Sequence, residues 1–148
     1  MKYEIKIDPK QTEPKVVITT NNITEEISEL IKILDNKRGF LVGYKEKTMR
    51  MLNYENIIHF YTYDRKVLAA TKNDAYEVKQ RLYDLEEALE KYCFVRISNT
   101  EIINLKQVVE FSLEFNGFVS VLLKNNIKTY VSRRNVKKIK KILQIGGN

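Results

Sequence analysis

The residues best placed to do chemistry stand near the C-terminus, in the run Ser132-Arg133-Arg134. Behind it, Val136, Ile139, Ile142 and Leu143 fall on one face of a helix, and Ser132 is a good N-cap for that helix. A helix N-terminus carries partial positive charge and prefers acidic side chains there. Two arginines in the first turn oppose the dipole, at about 0.3–1 kcal/mol each when exposed. A bound anion such as phosphate relieves that repulsion, so the segment has the chemistry of an anion site. Lys137 lies one turn below both arginines, Lys138 lies one turn below Arg134, and Lys140 and Lys141 extend the basic face. A solvated cationic face opposite the apolar one accounts for the same composition equally well.

The distribution of charge sharpens this. Residues 1–38 carry seven basic and seven acidic side chains, residues 39–123 carry eleven and twelve, and residues 124–148 carry eight and none. The formal net charge of +7 therefore resides wholly in the last 25 residues. A charge serving solubility would be spread out, whereas a concentrated one is the footprint expected of a polyanion partner. Catalytic chemistry is hard to find. The chain has one histidine, His59, within the apolar run NIIHFYTY, and one cysteine, Cys93. His59 reads as a half-buried strand residue and Cys93 as a small buried hydrophobe. The two cannot form a transition-metal site, and no disulfide can close within the chain. A phosphate-binding lysine loop, a dinucleotide fingerprint and a nucleophile elbow are all missing. Neither an enzyme nor a cofactor is expected.

With 148 residues, the chain is long enough to bury a core without staples. The N-terminus lacks the apolar core of a signal peptide, and no run approaches the roughly 20 apolar residues of a membrane span. A cytoplasmic protein without membrane insertion is the expectation. Residues 3–7 (YEIKI) and 15–20 (KVVITT) are rich in β-formers. Asn22 and Glu25 have capping-box spacing, and Ile23, Ile27, Leu30, Ile31 and Leu34 share a helix face. Residues 1–38 thus read as a β-β-α extension, too small to hold a core alone and suited to dimerisation or regulation. From Gly39 the pattern is mainly β. FLVGYKEKTMRML alternates loosely, strands flank Asp64-Arg65, and Ala75–Lys79 is a short return strand. Leu82, Leu85, Ala88 and Leu89 predict a helix over about residues 81–91. A longer helix from Asp74 to Lys91 presents a similar face, and the shorter one is preferred. FVRI and EIINL follow, then a hairpin marked by Asn116-Gly117 and a turn at Asn125-Asn126.

Between FVRI and the next apolar pair sits a polar knot, Ser98-Asn99-Thr100-Glu101. The helix Leu82/Leu85/Leu89, then Phe94-Val95-Arg96, the knot, Ile102-Ile103-Asn104, and finally TYVSRRNVKKI together resemble the LytTR family of bacterial DNA-binding domains. The resemblance covers roughly residues 40–145. It implies an α+β, mainly β fold: an elongated antiparallel sheet with short flanking helices, whose strand-end loops enter DNA grooves. It is not a helix-turn-helix. By this resemblance Asn99 sits at the duplex, Thr100 on its backbone, Arg134 reads a base from the start of the last helix, and Lys137 meets phosphate. Ser132 and Arg133 share that helix start, and the Asp64-Arg65-Lys66 turn supplies a third loop. The chain departs from the pattern in three places. The third loop is short, Ser98 replaces a frequent histidine, and Glu101 stands where an aromatic is common. An acid there is awkward beside phosphate unless it turns away or pairs with Arg96.

Most relatives attach such a domain to a receiver domain, for which the 38 preceding residues leave no room. Residues 39–148 are therefore expected to form a LytTR-like domain of a sequence-specific transcriptional regulator. It would bind repeated half-sites of double-stranded DNA as a homodimer, without cofactor, with input from a regulatory partner protein or the N-terminal segment. The competing expectations are an RNA or single-strand binding module, marked by exposed aromatics beside the basic groups, and a basic protein-interaction adaptor.

Overall fold

The computed structural model describes residues 1–34 and 39–145. The chain divides into two compact units, Met1–Lys37 and Arg38–Asn148.

Among the described residues of the first unit the one regular element is α1 (Glu25–Leu34), with Glu25 and Glu26 in its first turn and Lys32 in its last, as the helix dipole favours. Its cap is Thr24, whose Oγ1 accepts from the Ile27 amide at 3.3 Å. This corrects the expectation for Asn22. Neither YEIKI nor KVVITT forms a strand, which corrects the β-β part of the extension. Tyr3, Ile5, Ile7, Val16 and Val17 are all exposed. Strand-forming residues make a strand only where a neighbour accepts their backbone hydrogen bonds, and these two segments do not pair. The loop between them does form a turn, with the Gln11 amide donating to the Asp8 carbonyl at 3.0 Å.

The second unit begins with β1 (Phe40–Lys45), β2 (Thr48–Asn53), β3 (His59–Tyr63), β4 (Lys66–Ala70) and β5 (Ala75–Val78). α2 (Leu82–Leu89) follows, then β6 (Phe94–Ser98), β7 (Glu101–Asn104), β8 (Val108–Leu113), β9 (Val119–Leu123), β10 (Lys128–Val131) and α3 (Arg133–Ile145). The shorter reading of α2 holds, because residues 75–78 pair with β4. A short helical turn, Glu90–Tyr92, extends α2 and ends at Cys93, which has φ +68°. That left-handed residue is exposed, which corrects the reading of Cys93 as buried. The backbone there must leave the helix sharply, and this takes Cys93 out of the alternation that buries Phe94.

The strands form two antiparallel sheets, ordered β2-β1-β5-β4-β3-β7-β6 and β10-β9-β8. The described residues of this unit form two hydrophobic cores. Phe60, Phe94 and Ile102 face α2 through Leu82, Leu85 and Leu89. Ile58, Ile97 and Ile103 face Val119, Val121, Leu123 and Val131 of the small sheet and Ile139 of α3. Adjacent residues such as Ile102 and Ile103 thus enter opposite cores, as strand alternation requires. A register shift between Arg96 and Ser98 re-aims the end of β6 and brings Ser98 opposite Glu101.

Asn104 closes β7. It is buried, its Nδ2 donates to the Ile57 carbonyl at 2.9 Å, and its Oδ1 accepts from the Lys106 amide at 3.0 Å. Removing it orphans two backbone groups. Asn104→Ala is expected to lower the free energy of unfolding by about 2–4 kcal/mol in urea titration. A loss below about 0.5 kcal/mol contradicts the role of this latch.

Candidate nucleic-acid interface

Hydrogen bonds between elements gather three loops at one end of the second unit. The Ser132 amide donates to the Ile97 carbonyl at 2.8 Å, so the start of α3 is fixed to the end of β6. The Thr62 amide donates to the Thr100 carbonyl at 3.0 Å, which ties the end of β3 to the knot. Two residues further on lies the β3–β4 turn, where Asp64 and Arg65 both adopt left-handed backbone (φ +50° and +63°). That is the geometry of a two-residue hairpin turn.

Within this end, the Arg134 guanidinium donates to the Asn99 Oδ1, linking two residues that are 35 apart in the chain. Both side chains are exposed. The partner is a neutral amide, so the charge of Arg134 is oriented without being neutralised. No acidic residue stands in the first turn of α3. Ser132 occupies the N-cap position, but its Oγ pairs with the Asn135 Nδ2 at 2.7 Å. Arg133 lies over the Phe118 ring, 5.3 Å from its centre. Lys137 is exposed on the same helix. Thr100 is exposed, with its amide donating to the Ser98 Oγ at 3.2 Å. Arg65 is exposed at the β3–β4 turn, while Lys66 lies 3.9 Å from Glu77. The sequence-derived residues thus fall into a close set (Asn99, Thr100, Ser132, Arg133, Arg134), with Lys137 along the helix and Arg65 and Lys66 on the neighbouring turn. A shallow groove of about 370 Å³ runs between Ser98, Ser132, Val131, Tyr130 and Phe118.

Two supports of the knot were not evident in the sequence. Arg96 donates through Nε to the Ser98 carbonyl and through a terminal nitrogen to the Asn99 carbonyl, both at 2.8 Å. Its other terminal nitrogen lies 3.4 Å from Glu86 of α2. Arg96 therefore braces the turn from behind, and it does not pair with Glu101. Glu101 turns inward: one carboxylate oxygen accepts from Thr129 of β10, and the other meets the His59 Nδ1 at 2.7 Å. His59 is buried, stacks on Tyr61 and leaves its Nε2 without a partner among the described residues. The carboxylate that would repel phosphate is consumed inside. The residue type at 101 is a visible signal of this, but Thr129 is too distant in sequence to be paired with it by inspection.

Among the described residues no group of three His, Cys, Asp or Glu side chains could hold a metal, and no helix is long and apolar enough to cross a membrane. A two-sheet unit that presents a polar knot, an Arg-Lys turn and a basic helix start at one end has the chemistry of a nucleic-acid-binding surface. Residues 47–144 match the family described as the LytTr DNA-binding domain. Two Staphylococcus aureus proteins, from strains MSSA476 and MW2 and named as uncharacterized HTH-type transcriptional regulators, are each 35% identical over 147 residues. These alignments cover 98% of this chain and 99% of each relative. A solved LytTr DNA-binding domain from Bacillus cereus superposes with a TM-score of 0.67 at 15% identity, covering 70% of this chain and 95% of that one. The chain belongs to the LytTR DNA-binding domain family. Its described helices are separated by strands, so the DNA-binding unit is not a helix-turn-helix.

Replacing Glu101 with leucine deprives His59 and Thr129 of a shared acceptor. The expected result is a loss of roughly 2–4 kcal/mol of stability, with faster amide exchange at Thr62 and Ser132. Unchanged exchange at both amides would show that the inward bridge does not hold the loops.

Proposed function

We propose that this chain recognises specific sequences in double-stranded DNA through the loops gathered at one end of its second unit. The observation that carries the reading is the meeting of Arg134 and Asn99. An arginine guanidinium presents a fork of donors that matches a guanine edge in the major groove. Its bond to Asn99 fixes the direction of the fork before DNA arrives. Asn99 itself contacts a groove edge beside it, and Thr100 the DNA backbone. Ser132, Arg133 and Lys137 hold phosphate around the helix start, and Arg65 and Lys66 form the third, smaller contact. The S. aureus relatives are named as transcriptional regulators, which supports a regulatory role for this chain in the cytoplasm. Residues 1–38 serve self-association into a homodimer on repeated half-sites, supported by the unpaired, exposed Tyr3, Ile5, Ile7, Val16 and Val17. They, or a partner protein, receive the regulatory input.

One observation favours single-strand binding as the second reading: Tyr130 is exposed, with the Lys128 ammonium 5.7 Å from its ring centre. Such a pair can stack a splayed base.

Competition binding with base-substituted duplexes separates these roles. Arg134→Ala is expected to cost about 1–3 kcal/mol on the preferred duplex and to flatten preference at one base pair. Lys137→Ala should weaken all sequences alike and lower the salt slope by about one. Equal loss on preferred and random duplexes for Arg134→Ala contradicts base reading, and equal competition by single strands favours the second reading. Light scattering that finds a monomer both free and on DNA removes the homodimer.

A further inference from the structure

The β8–β9 hairpin ends in a tip, Glu114–Phe118, for which none of the roles above accounts. Its geometry is that of a tight loop. The Glu114 amide donates to the Phe118 carbonyl at 2.7 Å, and the Gly117 amide donates to the Glu114 carbonyl at 3.1 Å. Gly117 supplies the left-handed residue at φ +84°, with open space around it. The turn is complete without help from its neighbour Phe115, whose side chain is fully exposed. Exposed loop tips ordinarily carry small or polar residues. A phenylalanine there contributes nothing to the fold and keeps its whole apolar surface in water.

The position of this tip gives the ring a use. Leu113 and Val131 both pair with Val119, from opposite sides of β9. The tip therefore projects from the same end of the small sheet as the start of α3. Phe118, at the base of the tip, shares a groove with Ser98 of the knot and Ser132 of the helix cap. Arg133 lies over its ring. The hairpin tip thus continues the surface that carries Asn99 and Arg134.

The surrounding charge selects the partner. The one acid in the tip, Glu114, lies 3.3 Å from the Lys128 ammonium. A hydrogen bond from Ser120 and the contact with Lys128 hold its carboxyl below the usual range, so the acid is already matched within the protein. The cation left over at the base of the tip is Arg133, which lies over Phe118 and favours a polyanion. Duplex DNA combines phosphate with apolar deoxyribose faces and base edges, and exposed apolar side chains are the groups that pack into a minor groove. We propose that the β8–β9 tip is a further DNA contact, in which the Phe115 ring packs on deoxyribose and base edges in the minor groove beside the segment held by Arg133 and Arg134. The proposal rests on the duplex-DNA reading above and extends it to a fourth loop.

The test uses the full chain and a duplex that the wild-type protein has selected from a random-sequence pool. Phe115→Ser is expected to bind that duplex roughly tenfold more weakly. Its salt slope should equal the wild-type slope, because an apolar contact releases no counterions. Its melting temperature and its mass by light scattering should not change, since the side chain is fully exposed. The chain contains no tryptophan, so Phe115→Trp places a single indole reporter at the tip. Its emission should shift when the duplex saturates the protein, with affinity retained. Wild-type affinity in Phe115→Ser, or tryptophan emission indifferent to saturating duplex, overturns the contact while leaving the duplex reading intact. A Phe115→Ser chain that loses self-association in parallel with affinity shows the tip meeting a second copy, and overturns it too. Failure of the wild-type chain to select any duplex removes the duplex reading and the contact with it.

Discussion

Burial of β6 and β7 on both faces is the constraint from which the rest of the structure follows. An antiparallel strand pair commonly packs one face and wets the other. Here Phe94 and Ile102 enter the core beneath α2, while Ile97 and Ile103 enter the core shared with the small sheet and α3. The exposed polar side chains of the pair gather at the turn, Asn99-Thr100. A polar knot between apolar strands is therefore an opening forced to one end of a double core. The same burial gives that opening its precision. Ile97 fills the second core, and its carbonyl receives the amide of Ser132, the cap of α3. Ile139 anchors the helix into that core, so the basic first turn is set against the knot.

The polar groups behind the knot divide according to charge. The acids near it are matched internally, Glu86 by Arg96 and Glu101 by Thr129 and His59. Among the described residues, Arg134 meets an amide and Arg133 an aromatic face, so neither guanidinium is neutralised. This asymmetry has a cost in the isolated protein, because two guanidiniums lie against the positive end of a helix dipole. It is the arrangement expected of a surface completed by a polyanion.

Much of this was legible in the sequence, and the gaps have physical causes. Alternation and turn chemistry marked the hairpins around Asp64-Arg65 and Asn116-Gly117, and the leucine spacing marked α2. These signals are local, and local propensity and tertiary packing agree there. Ser132 was legible as a helix start, but the bond of its hydroxyl to Asn135 was not. The β-formers of residues 3–7 and 15–20 misled, because strand propensity reports fitness for a sheet and cannot supply the neighbouring strand. Asn22 had capping-box spacing, yet Thr24 caps α1, since the cap falls where the backbone turns. Cys93 has apolar neighbours but occupies the left-handed exit from a helical turn. The pairing of Glu101 depends on Thr129, which reaches it through the packing of two sheets. In the interface, residue types were legible, while the supports that aim them were non-local.

The central claim is that one end of the twin-core unit is the DNA face. The most direct test is an NMR titration of the isotope-labelled full chain with a duplex it has selected, following backbone amides. The account predicts that the largest perturbations fall on Asp64–Lys66, Ser98–Thr100 and Ser132–Lys137, with the β1–β2 hairpin near its free positions. Perturbations centred on β1 and β2, with Asn99, Thr100 and Arg134 unmoved at saturation, would contradict it.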